Sequence, residues 1–155
     1  ATLADAGVLI GNGTGVVQVT GAGTSGQVLT SNGAGVDPTF QAAAGGGLTW
    51  TEVTGTSQAM TTKNGYIANN AGLVTLTMPV TAALGDTIEV AGKGAGLWKI
   101  AQNAGQTIHF GNVDTTAGVG GSLTATQRYD SISLRCITAN TNFVVLGVQG
   151  SITIV

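Results

Sequence analysis

Residues Val8 to Val16 return twenty positions later as Val28 to Val36, with six of the nine positions identical. Both copies place an Asn-Gly pair, Asn12-Gly13 and Asn32-Gly33, shortly after a Val-Leu pair. Asn-Gly is the sequence signal for a tight turn with positive φ, so each copy reads as a short strand, a turn and a second extended piece. Such a unit has little to bury. Glycine-rich chain loses much entropy on ordering, and these residues offer few apolar side chains in return. The segment Ala1–Gly47 is therefore expected to be ordered where several copies of the chain wrap or stack together. The start, Ala1 to Asp5, already reads as repeat sequence. Ala42 to Gly47 has no side chain worth packing and marks the expected boundary, leaving Leu48–Val155 as a second domain.

The second part is read as strands. Leu73 to Met78 alternates, with Val74, Leu76 and Met78 on one face, and Ile88, Val90, Trp98 and Ile100 are placed inward in the same way. Further strands are expected at Thr107 to Phe110, Asp130 to Ile137, Phe143 to Leu146 and Ser151 to Val155. No stretch sustains a helical period; Val80 to Leu84 has room for one turn at most. Nine or ten short strands predict an all-β fold, a jelly-roll-like β-sandwich head behind a glycine-rich β-repeat shaft.

Composition excludes several classes of function. The chain has 155 residues, 5 basic and 7 acidic side chains, and a net charge of −2. Lys63, Lys93, Lys99, Arg128 and Arg135 are scattered, so no basic stripe is available to neutralise phosphates and no nucleic-acid partner is expected. No apolar run is long enough to span a bilayer. The lone Cys136 rules out an intrachain disulfide, and its phase with Ile132 and Leu134 reads as a small buried hydrophobe.

Little in the chain points to catalysis. The closest acidic pair in the head, Asp86 and Glu89, is expected on opposite faces, with Asp86 closing the Gly85-Asp86 turn. No Ser-His-Asp arrangement, phosphate loop or metal-spaced Cys/His cluster occurs. Gly92 to Gly96 lacks the helix and Gly-Lys-Ser/Thr ending of a phosphate loop and reads as a mobile hairpin loop. His109 shares a strand face with Thr107, toward solvent or a polar seam between subunits; a metal site there would need three copies around an axis. Trp50, Trp98, Tyr66 and Tyr129 are the tryptophans and tyrosines that could stack on sugars. Trp98 reads as core and Tyr129 as the exposed one.

Two sets of residues carry a resemblance. Gly11 to Gly15, Gly23 to Asn32 and Pro38 to Gln41 resemble the glycine-rich repeat of phage tail-fibre and related bacterial fibre proteins; Phe40 stands where that repeat often has tryptophan. Gly65 to Asn69, Gly85 to Ile88, Gly96 to Ile108 and Asp130 to Leu134 resemble the tip domain of such fibres. The resemblance implies a homotrimeric, extracellular, non-enzymatic fibre tip on a phage tail, or alternatively a bacterial surface adhesin or filament subunit. A structural cap and a polysaccharide-degrading enzyme are further readings. On the tip reading the partner is a cell-surface glycan, no cofactor or metal is needed, and contacts come from two loops. These are Gly92 to Gly96 with Lys93, and Gly111 to Gly121 with Asn112 and Asp114, followed by Arg128, Tyr129 and Asp130.

Overall fold

The computed structural model describes residues 7–11, 15–43 and 47–155. The expected turn at Asn12-Gly13, the repeat-like start at Ala1 to Asp5 and the middle of the Ala42–Gly47 linker lie outside the described residues. Two compact units are present, Ala1–Gly46 and Gly47–Val155.

The first unit contains two antiparallel ribbons. Strand β1 (Leu9–Gly11) pairs with β2 (Val17–Val19), setting Leu9 opposite Val19. Strand β3 (Gln27–Thr30) pairs with β4 (Thr39–Ala42), setting Leu29 opposite Phe40. Each Val-Leu segment thus opens a ribbon. Asn32-Gly33 does not form the tight two-residue turn expected of it; it opens a longer loop, 31–38, because Thr30 pairs with Thr39. The Asn32 amide holds that loop by donating to the Asp37 carbonyl at 2.7 Å and to Thr39 Oγ1 at 3.1 Å. Leu9, Val16, Val17, Val28, Leu29 and Val36 are exposed, and among the described residues of this unit no large hydrophobic is buried.

The second unit is all-β, with strands β5 (Thr49–Val53), β6 (Ser57–Ala59), β7 (Asn64–Ala68), β8 (Val74–Thr77), β9 (Thr87–Gly92), β10 (Trp98–Ala101), β11 (Thr107–Phe110), β12 (Val113–Asp114), β13 (Ser122–Ala125), β14 (Ser131–Thr138), β15 (Asn142–Gln149) and β16 (Ile152–Ile154). A seven-stranded sheet, in the order β12-β11-β15-β14-β9-β7-β5, and a five-stranded sheet, β16-β13-β10-β8-β6, enclose one core. A single 3-10 turn, Gly118–Gly120, is the helical element among the described residues, and Val80 to Leu84 carries no helical turn.

The path of the chain differs from the jelly-roll-like arrangement expected. From β5 to β10 successive strands alternate between the two sheets, so β5, β7 and β9 lie parallel, as do β6, β8 and β10. The chain winds as a short two-sided coil. From Asn64 to Ile88 and from Val74 to Trp98, laterally paired positions are 24 residues apart on both sheets. Strands β13 and β14 then close the coil antiparallel to β10 and β9, and β16 extends the smaller sheet beside β13. Jelly rolls are antiparallel Greek keys, and local alternation of apolar residues is the same whether a strand's neighbour is parallel or antiparallel.

The inward residues are those the alternation selects. Val74, Leu76, Met78, Ile88, Val90, Trp98, Ile100, Ile132, Leu134 and Cys136 are all buried. Burial also pushes the Cys136 thiol above its ordinary pKa. The Gly92 to Gly96 segment is not a hairpin loop, since β9 and β10 belong to different sheets. It is a crossover pinned to the chain after β7: Lys93 and Gly94 N–H donate to the Ala68 carbonyl and Gly96 N–H to that of Asn70. A Cβ on Gly96 would lie 2.0 Å from the Gly72 oxygen, so only glycine fits against that backbone.

Candidate functional site

One turn design recurs through the chain, and its last copy carries the site. In Thr24-Ser25-Gly26-Gln27, the Gln27 N–H donates to the Thr24 carbonyl at 3.1 Å and the Thr24 N–H to Gln27 Oε1 at 2.8 Å. Ala83-Leu84-Gly85-Asp86 repeats the pair at 3.1 and 2.9 Å, and Asn103-Ala104-Gly105-Gln106 at 3.2 and 2.9 Å. The third residue is glycine each time, with φ of 87, 88 and 76°. A turn of this hand requires positive φ there, which glycine adopts freely. Each turn leads into a strand: β3, β9 and β11.

Gln127-Arg128-Tyr129-Asp130 is the fourth copy, leading into β14. Asp130 N–H donates to the Gln127 carbonyl at 3.3 Å, and Gln127 N–H to Asp130 Oδ2 at 2.8 Å. The glycine position is taken by Tyr129, at φ 74°. An L-residue pays on the order of 1–2 kcal/mol in this region. Three other non-glycine residues among those described share it, each with its side chain engaged. Leu97 packs on the core, the Asn140 amide oxygen accepts from Ala82 N–H, and Lys63 pairs with Asp86. Tyr129 is 65% exposed. Its ring carries the Arg128 guanidinium, 5.0 Å from the centroid, in a cation–π arrangement.

Arg128 also reaches back to the crossover, its Nε donating to the Lys93 carbonyl at 2.7 Å. The Lys93 ammonium pairs with Glu52 on β5, which also accepts from the Asn69 amide at 2.8 Å. Those two hydrogen bonds, Lys93's first, hold the Glu52 carboxyl below the usual carboxylate range. Lys93, Arg128 and Tyr129 thus form one exposed patch, edged by Glu52 and Asn69. Sequence reading did not reach Glu52 or Asn69. Glu52 is exposed on β5, but its partner is 41 residues away and only the coil brings them together.

Asp130 belongs to the scaffold, not to the exposed patch. It is buried; its carboxylate accepts from the N–H groups of Thr126 and Gln127, and its carbonyl accepts from Gly92 N–H. A carboxylate so placed shapes the turn and is closed to a ligand. Asn112 and Asp114 are exposed on the β11–β12 hairpin, and β15 lies between them and β14. They are not gathered with Tyr129. Asp114 Oδ1 sits 2.6 Å from His109 Nδ1, so the histidine's polar-face partner is intrachain. Asp86 closes its turn as expected, and the Ala83 N–H it accepts, ahead of its contacts with Thr62 and Lys63, draws its carboxyl below the ordinary range. Among the described residues no group of three or more His, Cys, Asp or Glu side chains is arranged to hold a metal. No helix of the described residues is long and apolar enough to cross a membrane. Comparison with known proteins returns no match, neither to a family model nor to a curated protein.

Proposed function

We propose that the chain is the non-enzymatic tip of an extracellular homotrimeric fibre, most simply a phage tail fibre, that attaches to cell-surface glycans through Tyr129, Arg128 and Lys93. The observation that carries the reading is Tyr129 at φ 74°, in the position that three sister turns give to glycine. An exposed aromatic held at a backbone cost, with only the exposed Arg128 guanidinium against its ring, is the pattern of a residue kept for what it touches. Stacking on the ring with hydrogen bonds from guanidinium, ammonium and amide suits a sugar. Three copies of a weak contact around one axis would raise avidity. Support for assembly comes from the first unit, whose exposed valines and leucines find no cover within the unit itself.

Light scattering of the intact chain should give three times the monomer mass; a dispersed monomer would overturn the fibre reading. Tyr129→Gly should abolish host-cell binding while raising the unfolding free energy by about 0.5–1 kcal/mol, since it removes the strain and the ring together. Binding at the parental level would place the contact elsewhere.

A further inference from the structure

The outer face of the seven-stranded sheet carries a trough at its centre, away from the loops. Cross-strand pairing aligns five residues in a single row: Gly147 on β15, Ser133 on β14, Glu89 on β9, Gly65 on β7 and Trp50 on β5. Ser133, Glu89 and Gly65 face away from the core, because Ile132, Leu134, Ile88, Val90 and Tyr66 take the inward positions beside them, and cross-strand pairing carries Gly147 and Trp50 onto the same side. Two are glycines and one is serine, so the row is a trough. Its wall is Trp50. A Cβ on Gly65 would fall 2.4–2.6 Å from three indole atoms, so the ring rests directly on the bare Gly65 backbone. The ring is fixed from below and 47% exposed above.

The floor beyond the indole sets polar side chains among apolar ones such as Ala91 and Val148. Glu89 and Ser133 are half-buried, and the parallel row adds Ala91, Ser131 and Gln149, leaving a cavity of about 370 Å³. Glu89 is the one charged residue among those lining it. With strands about 4.8 Å apart, the four spacings from Gly147 to Trp50 cover roughly 19 Å. That is a length for several sugar units in line.

We infer that this trough binds a linear, uncharged oligosaccharide laid across the strands, with one sugar face on Trp50 and its hydroxyls on Glu89, Ser131, Ser133 and Gln149. A pre-positioned indole loses little entropy when a sugar stacks on it. A carboxylate in no ion pair among the described residues disfavours sulfated or phosphorylated glycans and accepts hydrogen bonds from neutral hydroxyls. The serines and glutamine are too polar for the core of a permanent subunit contact. The site does not require the Tyr129 ring, although Glu52, at the edge of that patch, ends the row that runs through Ser131 and Ala91.

Intrinsic fluorescence reads the site directly. The other tryptophan, Trp98, is fully buried, so a saccharide-dependent change reports Trp50. The intact chain is titrated with linear hexasaccharides of β-1,4-linked glucose and of β-1,4-linked N-acetylglucosamine, and with a sulfated polysaccharide as the charged comparison. A saturable change is expected with at least one neutral hexasaccharide and none with the sulfated one. Gly147→Leu should weaken binding at least tenfold with Trp50 untouched. No atom lies within 4 Å of a Cβ there, so the leucine fits the fold and fills the trough. Tyr129→Gly should leave this titration unchanged, which separates the site from the loop contact. No saturable change with either neutral sugar, or parental binding by Gly147→Leu, would overturn the inference. So would a fall in assembly mass for Trp50→Ala, which would make this face a contact between copies of the chain.

Discussion

The indole Nε1 of Trp98 donates to the main-chain oxygen of Asp130 at 2.8 Å, joining the smaller sheet to the turn that opens β14 in the larger one. The same oxygen accepts from Gly92 N–H at 2.9 Å. The exposed Tyr129 patch therefore stands on a buried knot made by β9, β10 and the turn.

Trp98→Phe removes one hydrogen bond of the knot and leaves a void at the centre of the core. The expected loss is about 2–4 kcal/mol, read by urea unfolding. The Asp130 carbonyl keeps its bond from Gly92, so the damage is mainly the void.

Asp130→Ala should behave as a structural substitution. It strips the acceptor from two backbone N–H groups, of Thr126 and Gln127, and should cost about 1–3 kcal/mol. Gly150→Ala should also destabilise, because its Cβ would meet Asp130 Oδ1 at 1.9 Å and its φ is 90°. Both are checked by thermal unfolding. A parental midpoint for Asp130→Ala would return that residue to the candidate contacts.

Gly105→Ala tests the turn design from the other side. It places an L-residue at φ 76° in a sister turn where no atom lies within 4 Å of the added Cβ, so any cost is conformational. About 1 kcal/mol of destabilisation is expected in chemical denaturation. A neutral result would mean the turn tolerates L-residues freely, and the argument from Tyr129 would fall with it.

Acid should weaken the second unit through Glu52 and Asp86. Both carboxyls have folded pKa values below their unfolded ones, Glu52 through its bonds from Lys93 and Asn69 and Asp86 through the Ala83 N–H. A depressed carboxyl adds stability above its unfolded pKa, near 4, and loses it as pH falls through the folded value. Stability from these groups should be flat from pH 7 to about 5 and decline below about 4. The double variant Glu52→Gln, Asp86→Asn should flatten that decline in unfolding curves measured from pH 7 to 2.5.

Removing the chain after Gly150 should unfold or aggregate the second unit. Strand β16 covers the edge of β13, and Val155 exchanges backbone hydrogen bonds with Ser122 while accepting another from Thr116. Without them β13 becomes an open edge. A soluble, cooperatively folding truncation, measured by circular dichroism, would contradict this role.

The residues by themselves determined which side chains go inside. Strand alternation needs only neighbours two positions apart, so Val74, Leu76, Met78, Trp98, Ile100 and Cys136 were legible as core before any sheet was known. The turn signal at Gly85-Asp86 was equally local. Which strands lie side by side was not local. The spacing of Ala71-Gly72-Leu73 and Ala95-Gly96-Leu97 by 24 residues matches the coil, and it was the one sequence sign of parallel winding. Only the tertiary structure set Trp50 on Gly65, Lys93 against Glu52, and Tyr129 where its sister turns have glycine. Each of those relations depends on lateral pairing or backbone conformation, which alternation of apolar residues leaves undetermined.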